Sequence, residues 1–150
     1  MRIRAVALLG LAVVTAACGS ISGTPFVPTS SATTGAGTAV TLGEQRSEAA
    51  SITVVASWLA TGTPAVRVVM DTHSVDLDGF DLATLARVRL DGGPWVAPSA
   101  WDAPKGGHHR EGTLAFAAMD RASLDTAKLI EIEMRDVAVP SRMLRWARSQ

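Results

Sequence analysis

The sequence predicts an all-β domain, an antiparallel β-sandwich, in the C-terminal part of its 150 residues. Three observations support this fold class. Apolar and polar residues alternate in several short runs, which is typical of strands with one face in a core and the other in water. Turn-forming clusters of glycine and proline separate these runs. No segment carries the long apolar stripe of an amphipathic helix.

The alternation predicts strands around the following apolar sets: Ile52, Val54 and Ala56; Val66, Val68 and Met70; Val88 and Leu90; Leu114, Phe116 and Ala118; Ile130, Ile132 and Met134; and Met143, or Leu144 with Trp146. Short helical turns are predicted at 81–86 and 122–128. Six or seven short strands in roughly 100 residues favour an immunoglobulin-like architecture, although the Cys…Trp…Cys signature of that fold is absent. The four tryptophans are expected in the core and its rim, or lining a ligand groove.

The clearest alternation lies at 130–134 and carries a direct expectation. It turns Ile132 inward and Glu131 into water. We therefore expect Ile132→Asp to unfold the domain and Glu131→Lys to be nearly neutral.

The N-terminus has the composition of an export signal. Arg2 and Arg4 precede an apolar run, 5–14, that is too short to cross a bilayer, and small residues then lead into Cys18. The segment 14–18, V-T-A-A-C, resembles the lipobox of bacterial lipoproteins, with Thr15 where an aliphatic residue is more usual. The resemblance implies cleavage before Cys18 and diacylglyceryl attachment to its thiol. An ordinary leader followed by a chance cysteine is the alternative.

The predicted organisation has three parts: a signal peptide at 1–17, a lipidated Cys18 with a tether at 18–47, and a β-sandwich at 48–150. Gly, Ser, Thr and Pro dominate the tether, so it buries too little apolar surface to order itself. About 25 such residues reach roughly 25–30 Å. The expected location is the extracytoplasmic face of the cell membrane.

The charge balance excludes one class of partner. The chain has 14 basic and 14 acidic residues, and loss of the leader removes Arg2 and Arg4. A slightly acidic protein lacks the positive surface that nucleic-acid binding requires. The partners we expect are the membrane, through the anchor, and an envelope protein, glycan or small ligand.

Three segments of the folded part resemble a group of small exported or membrane-attached bacterial and archaeal proteins. They are D-T-H-S-V-D-L at 71–77, the stretch W-D-A-P-K-G-G-H-H-R-E-G-T-L at 101–114, and Val139-Pro140 with Arg145-Trp146. The resemblance spans 66–146 and implies no activity. The loop 136–139 departs from the group, which more often has a glycine pair there.

The three histidines, His73, His108 and His109, all lie in these segments. Imidazoles beside carboxylates suit Cu or Zn, so a metal site is one hypothesis, although consecutive strand residues point to opposite faces. Structural roles for these histidines are the other. No cofactor is otherwise expected.

A second candidate site is an anion nest. Lys105, Arg110 and the backbone N–H groups of Gly106 and Gly107 are the groups that would form it.

The sequence lacks the signatures of the common enzyme classes. No G-x-S-x-G, H-E-x-x-H, C-x-x-C, P-loop or dinucleotide-binding motif is present. We therefore expect no enzyme but a non-catalytic binding or interaction module at the cell envelope, with a metal-binding domain as the alternative.

Overall fold

A computed structural model describes residues 42–148. The elements in this range are β1 (Gln45–Ala49), β2 (Ile52–Trp58), β3 (Ala65–Thr72), α1 (Leu82–Leu85), β4 (Ala86–Leu90), β5 (Ala100–Trp101), β6 (His109–Ala115), α2 (Arg121–Thr126), β7 (Leu129–Arg135) and β8 (Ser141–Ala147). The strands form two antiparallel sheets, in the orders β1-β2-β3-β6-β5 and β4-β7-β8. The all-β prediction is confirmed, and an immunoglobulin-like architecture stays a prediction.

Both sheets contribute to one apolar core. In β7, Ile130, Ile132 and Met134 are fully buried, and in β3 the same is true of Val68 and Met70. The predicted inward faces of these strands are therefore confirmed. For β8 the register selects the pair Leu144 and Trp146 over Met143, because Leu144 lies opposite Ile132 and Trp146 opposite Ile130.

The folded part begins before the boundary predicted at position 48. Strand β1 starts at Gln45 and pairs along its whole length with β2. Leu42 packs against the core, and the indole N–H of Trp146 donates to the carbonyl of Gly43 at 2.5 Å. The sequence of β1, Q-R-S-E-A, has no apolar alternation, so only its pairing with β2 reveals it as a strand. The signal peptide, Cys18 and the tether up to 41 lie outside the described residues.

Both predicted helical turns are present and are capped by aspartates. The carboxylate of Asp81 accepts from the N–H of Ala83 at the start of α1, and that of Asp120 accepts from Ser123 at the start of α2. These are the interactions that favour Asp at the N-cap. Neither helix, nor any other helix within 42–148, is long and apolar enough to cross a bilayer.

The turn between β7 and β8 has the backbone geometry that glycine favours. Asp136 and Ala138 have φ values of 57° and 58°, in the left-handed region. The loop, 136–139, contains no glycine. The turn therefore forms here with non-glycine residues in a conformation that costs them free energy.

The outcome for Glu131 differs from the expectation. It points away from the core as predicted, but its side chain is only 5% exposed because Arg89 and Arg145 lie on either side of it. The expectation that Glu131 lies in water is therefore wrong. We now expect Glu131→Lys to be destabilising, since the lysine would stand between two arginines.

The chain enters the domain at one end and its motif-bearing loops lie at the other. Gly43 is held beside Trp146 at the entry end. The β1–β2 turn and the loops before β6 and after β3 share the opposite end, because Ile52 is paired with Thr72 and His109 with Asp71. The β7–β8 turn lies there too, since Arg142 donates both to Val137 in that turn and to Ala49 at the β1–β2 turn. We call this opposite end the loop end.

Candidate functional site

Arg110 holds the loop end together. This residue is 5% exposed, and its guanidinium donates to the carbonyls of Leu77, Phe80, Ala103 and Pro104 at 2.7–3.1 Å. A buried cation needs such oxygen partners to replace its lost water. Arg110 was a predicted anion ligand, and the structure instead directs all of these donors at the backbone of two loops.

The predicted anion nest already contains an anion of the protein itself. The N–H groups of Gly106 and Gly107 donate to Oδ1 of Asp78 at 2.9 and 3.1 Å. These two hydrogen bonds hold the pKa of Asp78 below its ordinary value. Lys105 is exposed beside them. The glycine-rich turn thus binds the loop after β3 to the loop before β6.

The histidines are placed at the loop end but each faces a different partner. Nδ1–H of His108 donates to the carbonyl of Val75 at 2.9 Å, and Nδ1–H of His109 donates to Asp71 at 2.5 Å. His73 is exposed. Within residues 42–148 no three histidine, cysteine, aspartate or glutamate side chains lie close enough to hold a metal ion together. The metal hypothesis therefore gains no support from the geometry.

Arg142, like Arg110, is a buried arginine that donates to backbone carbonyls, and it holds the turns of the loop end. Arg142 is 2% exposed and donates to the carbonyls of Ala49, Ile52 and Val137 at 2.7–3.1 Å. Burial lowers the pKa of its guanidinium. Because these carbonyls belong to the β1–β2 and β7–β8 turns, this one side chain connects an edge strand of each sheet.

Three tryptophans belong to the core and its rim. Trp146 is 3% exposed, and Trp58 packs against it and against Phe116 with ring centroids 5.8 and 6.1 Å apart. Trp101 also packs on the core from the short strand β5. These contacts leave Trp95 as the tryptophan to consider for recognition.

Trp95 lies on the outer face of the three-stranded sheet. Val96 pairs with Val88 across the edge of β4, so the preceding side chain is directed to the opposite face. There the indole ring lies against two guanidinium groups, with the Cζ atoms of Arg87 and Arg89 at 4.4 and 4.5 Å from the ring centroid. Such contacts between a cation and an aromatic face are favourable. The ring is only partly buried.

Beneath Trp95 the sheet presents rows of alternating charge. Arg89 and Arg145 both donate to Glu131, at 2.6 and 2.9 Å, across three adjacent strands. In the next row Arg87 donates to Glu133 at 2.5 Å. We call this surface, made by Arg87, Arg89, Trp95, Glu131, Glu133, Arg135 and Arg145, the arginine–tryptophan face.

Both glutamates of the arginine–tryptophan face are held in their charged form. Hydrogen bonds from Arg89 and Arg145 lower the pKa of Glu131. Burial raises the pKa of Glu133, but the hydrogen bonds from Ser141 and Arg87 outweigh this effect and leave it below its ordinary value. Neither carboxyl group is suited to donate a proton near neutral pH.

The charge of this face is opposite in sign to that of the domain. Arg2 and Arg4 are the charged residues outside 42–148, which leaves 12 basic and 14 acidic residues within that range, a formal charge of −2. The arginine–tryptophan face has four arginines and two glutamates, a formal charge of +2. Cationic groups are thus concentrated on one surface of an acidic domain.

The alternation in the sequence did not point to this face. It placed Glu131 in water and gave the arginines of β4 no role. One signal was available: Arg87 and Arg89 alternate with buried residues and precede a tryptophan by a few positions, which is the spacing of a strand, a turn and a returning segment. The partner strand, β7, begins about 40 residues later and leaves no local signal.

Two depressions of the described surface lie beside Trp95 and over the β1–β2 turn. One of about 140 Å³ lies beside Trp95 and is lined by Arg89, Leu90, Pro94, Val96 and Met119. Sites for small molecules usually occupy about 300–1,000 Å³. A second of about 390 Å³ lies over the β1–β2 turn, where no histidine or aromatic side chain lines it. Neither of these two depressions gives evidence for a small-molecule site.

Comparison with known proteins identifies neither a family nor a function for the chain. No protein family, curated protein or solved structure matches the chain. The resemblances to bacterial lipoproteins and to the group of exported proteins stay predictions.

Proposed function

We propose that this chain is a lipoprotein anchored through Cys18 at the extracytoplasmic face of the cell membrane, and that its β-domain is a non-catalytic binding module. The leader and the V-T-A-A-C segment support the anchor. The observation that carries the binding role is the arginine–tryptophan face. It combines a partly exposed indole ring with a surplus of guanidinium groups, and both residue types are enriched where proteins recognise partners.

The arrangement of charges favours binding over catalysis. On this face each carboxylate is already paired with arginine, so its role is to hold the guanidinium groups in place. At the loop end, Arg110 and Asp78 are engaged by backbone groups. Groups whose hydrogen bonds are all made within the protein provide a rigid scaffold and are poor proton donors or acceptors for a substrate.

The arginine–tryptophan face is distinct from the end of the strands at which Gly43 lies beside Trp146. It runs along the outer side of β4, β7 and β8. A module anchored to a membrane gains effective concentration for partners in the same envelope.

The anchor is tested by mass spectrometry of the mature protein from native membranes. We expect an N-terminal cysteine that carries a diacylglyceryl group, and we expect Cys18→Ser to move the protein into the soluble fraction. Two acyl chains are sufficient for stable anchoring. Recovery of the wild-type chain in the cytosol with Met1 retained and no acyl mass would contradict this part of the proposal.

The binding role is tested by photocrosslinking in intact cells. A photoreactive side chain at Ala147, which is exposed on the outer side of β8, samples the arginine–tryptophan face. The matched control is the same side chain at Glu48, exposed on the other sheet. We expect a defined adduct from position 147 that Trp95→Ala abolishes. Adducts that are the same from both positions, or that persist in Trp95→Ala, would refute the assignment of the face.

A further inference from the structure

We infer that the arginine–tryptophan face binds an acidic polysaccharide whose sugars carry carboxylates. The inference rests on the proposed binding role and adds the chemical class of the partner. Its first support is charge. The face carries +2 in a domain whose described residues sum to −2, so an anionic polymer is attracted to this surface and repelled by the rest.

The second support is the unused hydrogen-bonding capacity of the arginines. Arg145 donates to Glu131 through Nε, and within residues 42–148 its two terminal nitrogens have no partner. Its side chain is 59% exposed. Arg135, on the same face of β7, is exposed and makes no ion pair with any described residue. Guanidinium groups bind carboxylates through two parallel hydrogen bonds, which gives geometric specificity as well as attraction.

The structure contains an example of the same recognition. The carboxylate of Glu131 lies between Arg89 and Arg145, which come from strands on either side of β7. The spacing of adjacent strands, about 4.8 Å, therefore allows guanidinium groups on this sheet to bracket a carboxylate. An external carboxylate beside Arg145 would extend the row by the same chemistry. Arg135 lies four residues further along β7, opposite Ser141, and about 13 Å away along the strand, so it would bind a second carboxylate of the polymer.

The third support is Trp95. Its ring packs against the guanidinium groups of Arg87 and Arg89 and is only partly buried. A partly exposed indole ring offers dispersion contact and weak C–H hydrogen bonding to the apolar face of a sugar ring. Insertion into a lipid bilayer would instead require a projecting apolar side chain, and the two glutamates of the face would oppose an anionic lipid surface. A saccharide polymer fits both the aromatic and the cationic groups.

The experiment measures binding of the full chain, purified in detergent, to polygalacturonate, with dextran and dextran sulfate as the neutral and the sulfated polymer. Trp95→Ala and Arg145→Gln test the face, and Arg145→Lys tests the need for a planar guanidinium. Arg67→Gln is the matched control, because Arg67 pairs with Glu111 on the outer face of the other sheet and is 46% exposed. Urea midpoints confirm that each variant is folded.

We expect salt-sensitive binding to polygalacturonate that exceeds binding to dextran and dextran sulfate. Trp95→Ala and Arg145→Gln should each weaken it about tenfold, a loss of about 1.4 kcal/mol, and Arg67→Gln should not change it. Arg145→Lys should recover only part of the loss. Equal binding by all variants, preference for dextran sulfate, or binding to anionic lipid vesicles alone would overturn the inference.

The two proposals fail in different ways. If polygalacturonate does not bind but the adduct from position 147 is still formed and still depends on Trp95, the saccharide is wrong and the binding role stands. If the adduct is also absent, the face has no partner and both proposals are refuted.

Discussion

The substitution Glu131→Lys is the most direct test of the arginine–tryptophan face. In the folded protein the Glu131 side chain is 5% exposed and accepts hydrogen bonds from Arg89 and Arg145. A lysine at this position removes both bonds and places a third cation between two others. The change leaves the fold of β7 otherwise intact, because position 131 lies on its outer face.

The expected cost follows from the contacts. A hydrogen bond to a charged group contributes about 1.5–3 kcal/mol to stability. Arg145 is 59% exposed and Arg89 is 30% exposed, so water can partly replace the hydrogen bond that each of them loses. We therefore use the lower value, about 1.5 kcal/mol, for each of the two hydrogen bonds. Repulsion among three cations is relieved as the arginines turn into solvent. We therefore expect a loss of about 3 kcal/mol from Glu131→Lys and about 1 kcal/mol from Glu131→Gln, which retains the shape of the side chain.

The assay is urea unfolding followed by tryptophan fluorescence, since the buried Trp146 reports on the core. The matched control is Glu48→Lys, because Glu48 is 61% exposed and pairs with Arg46 at the edge of the other sheet. Its free energy of unfolding should change by less than about 0.5 kcal/mol. If Glu131→Lys were as mild as Glu48→Lys, the buried ion-pair network would not exist as described, and both proposals about the face would lose their basis.

Three further outcomes follow from the same structure. Arg142→Met should lower the free energy of unfolding by about 3 kcal/mol in urea denaturation, because buried turn carbonyls lose their hydrogen-bond donors. Stability equal to wild type would show that these carbonyls find other donors. Gly112→Ala should lower the free energy of unfolding by about 1–3 kcal/mol, since the new Cβ would stand 2.5 Å from the backbone nitrogen of Ala103. In the control, Gly62→Ala, the new Cβ meets nothing within 4 Å, and stability should not change. The pKa of Asp78 is lower in the folded protein than in the unfolded chain, where it is about 3.9. Its contribution to stability is therefore complete above the unfolded-state pKa and is lost as the pH falls through the folded-state pKa. The urea midpoint should drop in acid, and the drop should be smaller in Asp78→Asn. An identical acid profile for the variant would contradict the role of the two glycine N–H groups.

The predicted site and the observed one differ for a physical reason. Histidines and a glycine-rich turn attract attention because their chemistry can be recognised residue by residue. In the folded protein Gly106 and Gly107 bind Asp78, and His108 binds the carbonyl of Val75, so these groups stabilise loops. The partners lie about 30 residues away along the chain. Nothing local distinguishes a nest that binds a ligand from one that binds the protein itself.

The sequence by itself determined most of the segments that become strands and which of their faces are buried. Alternation at 52–56, 66–70, 88–90 and 130–134 is a local property, because successive side chains of a strand point to opposite sides whatever the partner strand is. The same rule misses β1, whose sequence has no alternation, and whose strand conformation depends on its pairing with β2.

Only the tertiary structure decided what happens on the outer faces. Whether Glu131 is solvated or enclosed depends on Arg89, 42 positions before it, and on Arg145, 14 positions after it. Sheet order brings these three side chains into one row, and a segment returning along β4 covers the neighbouring guanidinium groups with Trp95. Burial of charge is a property of such non-local neighbours, so the surface on which the functional proposal rests exists only once the strands are paired.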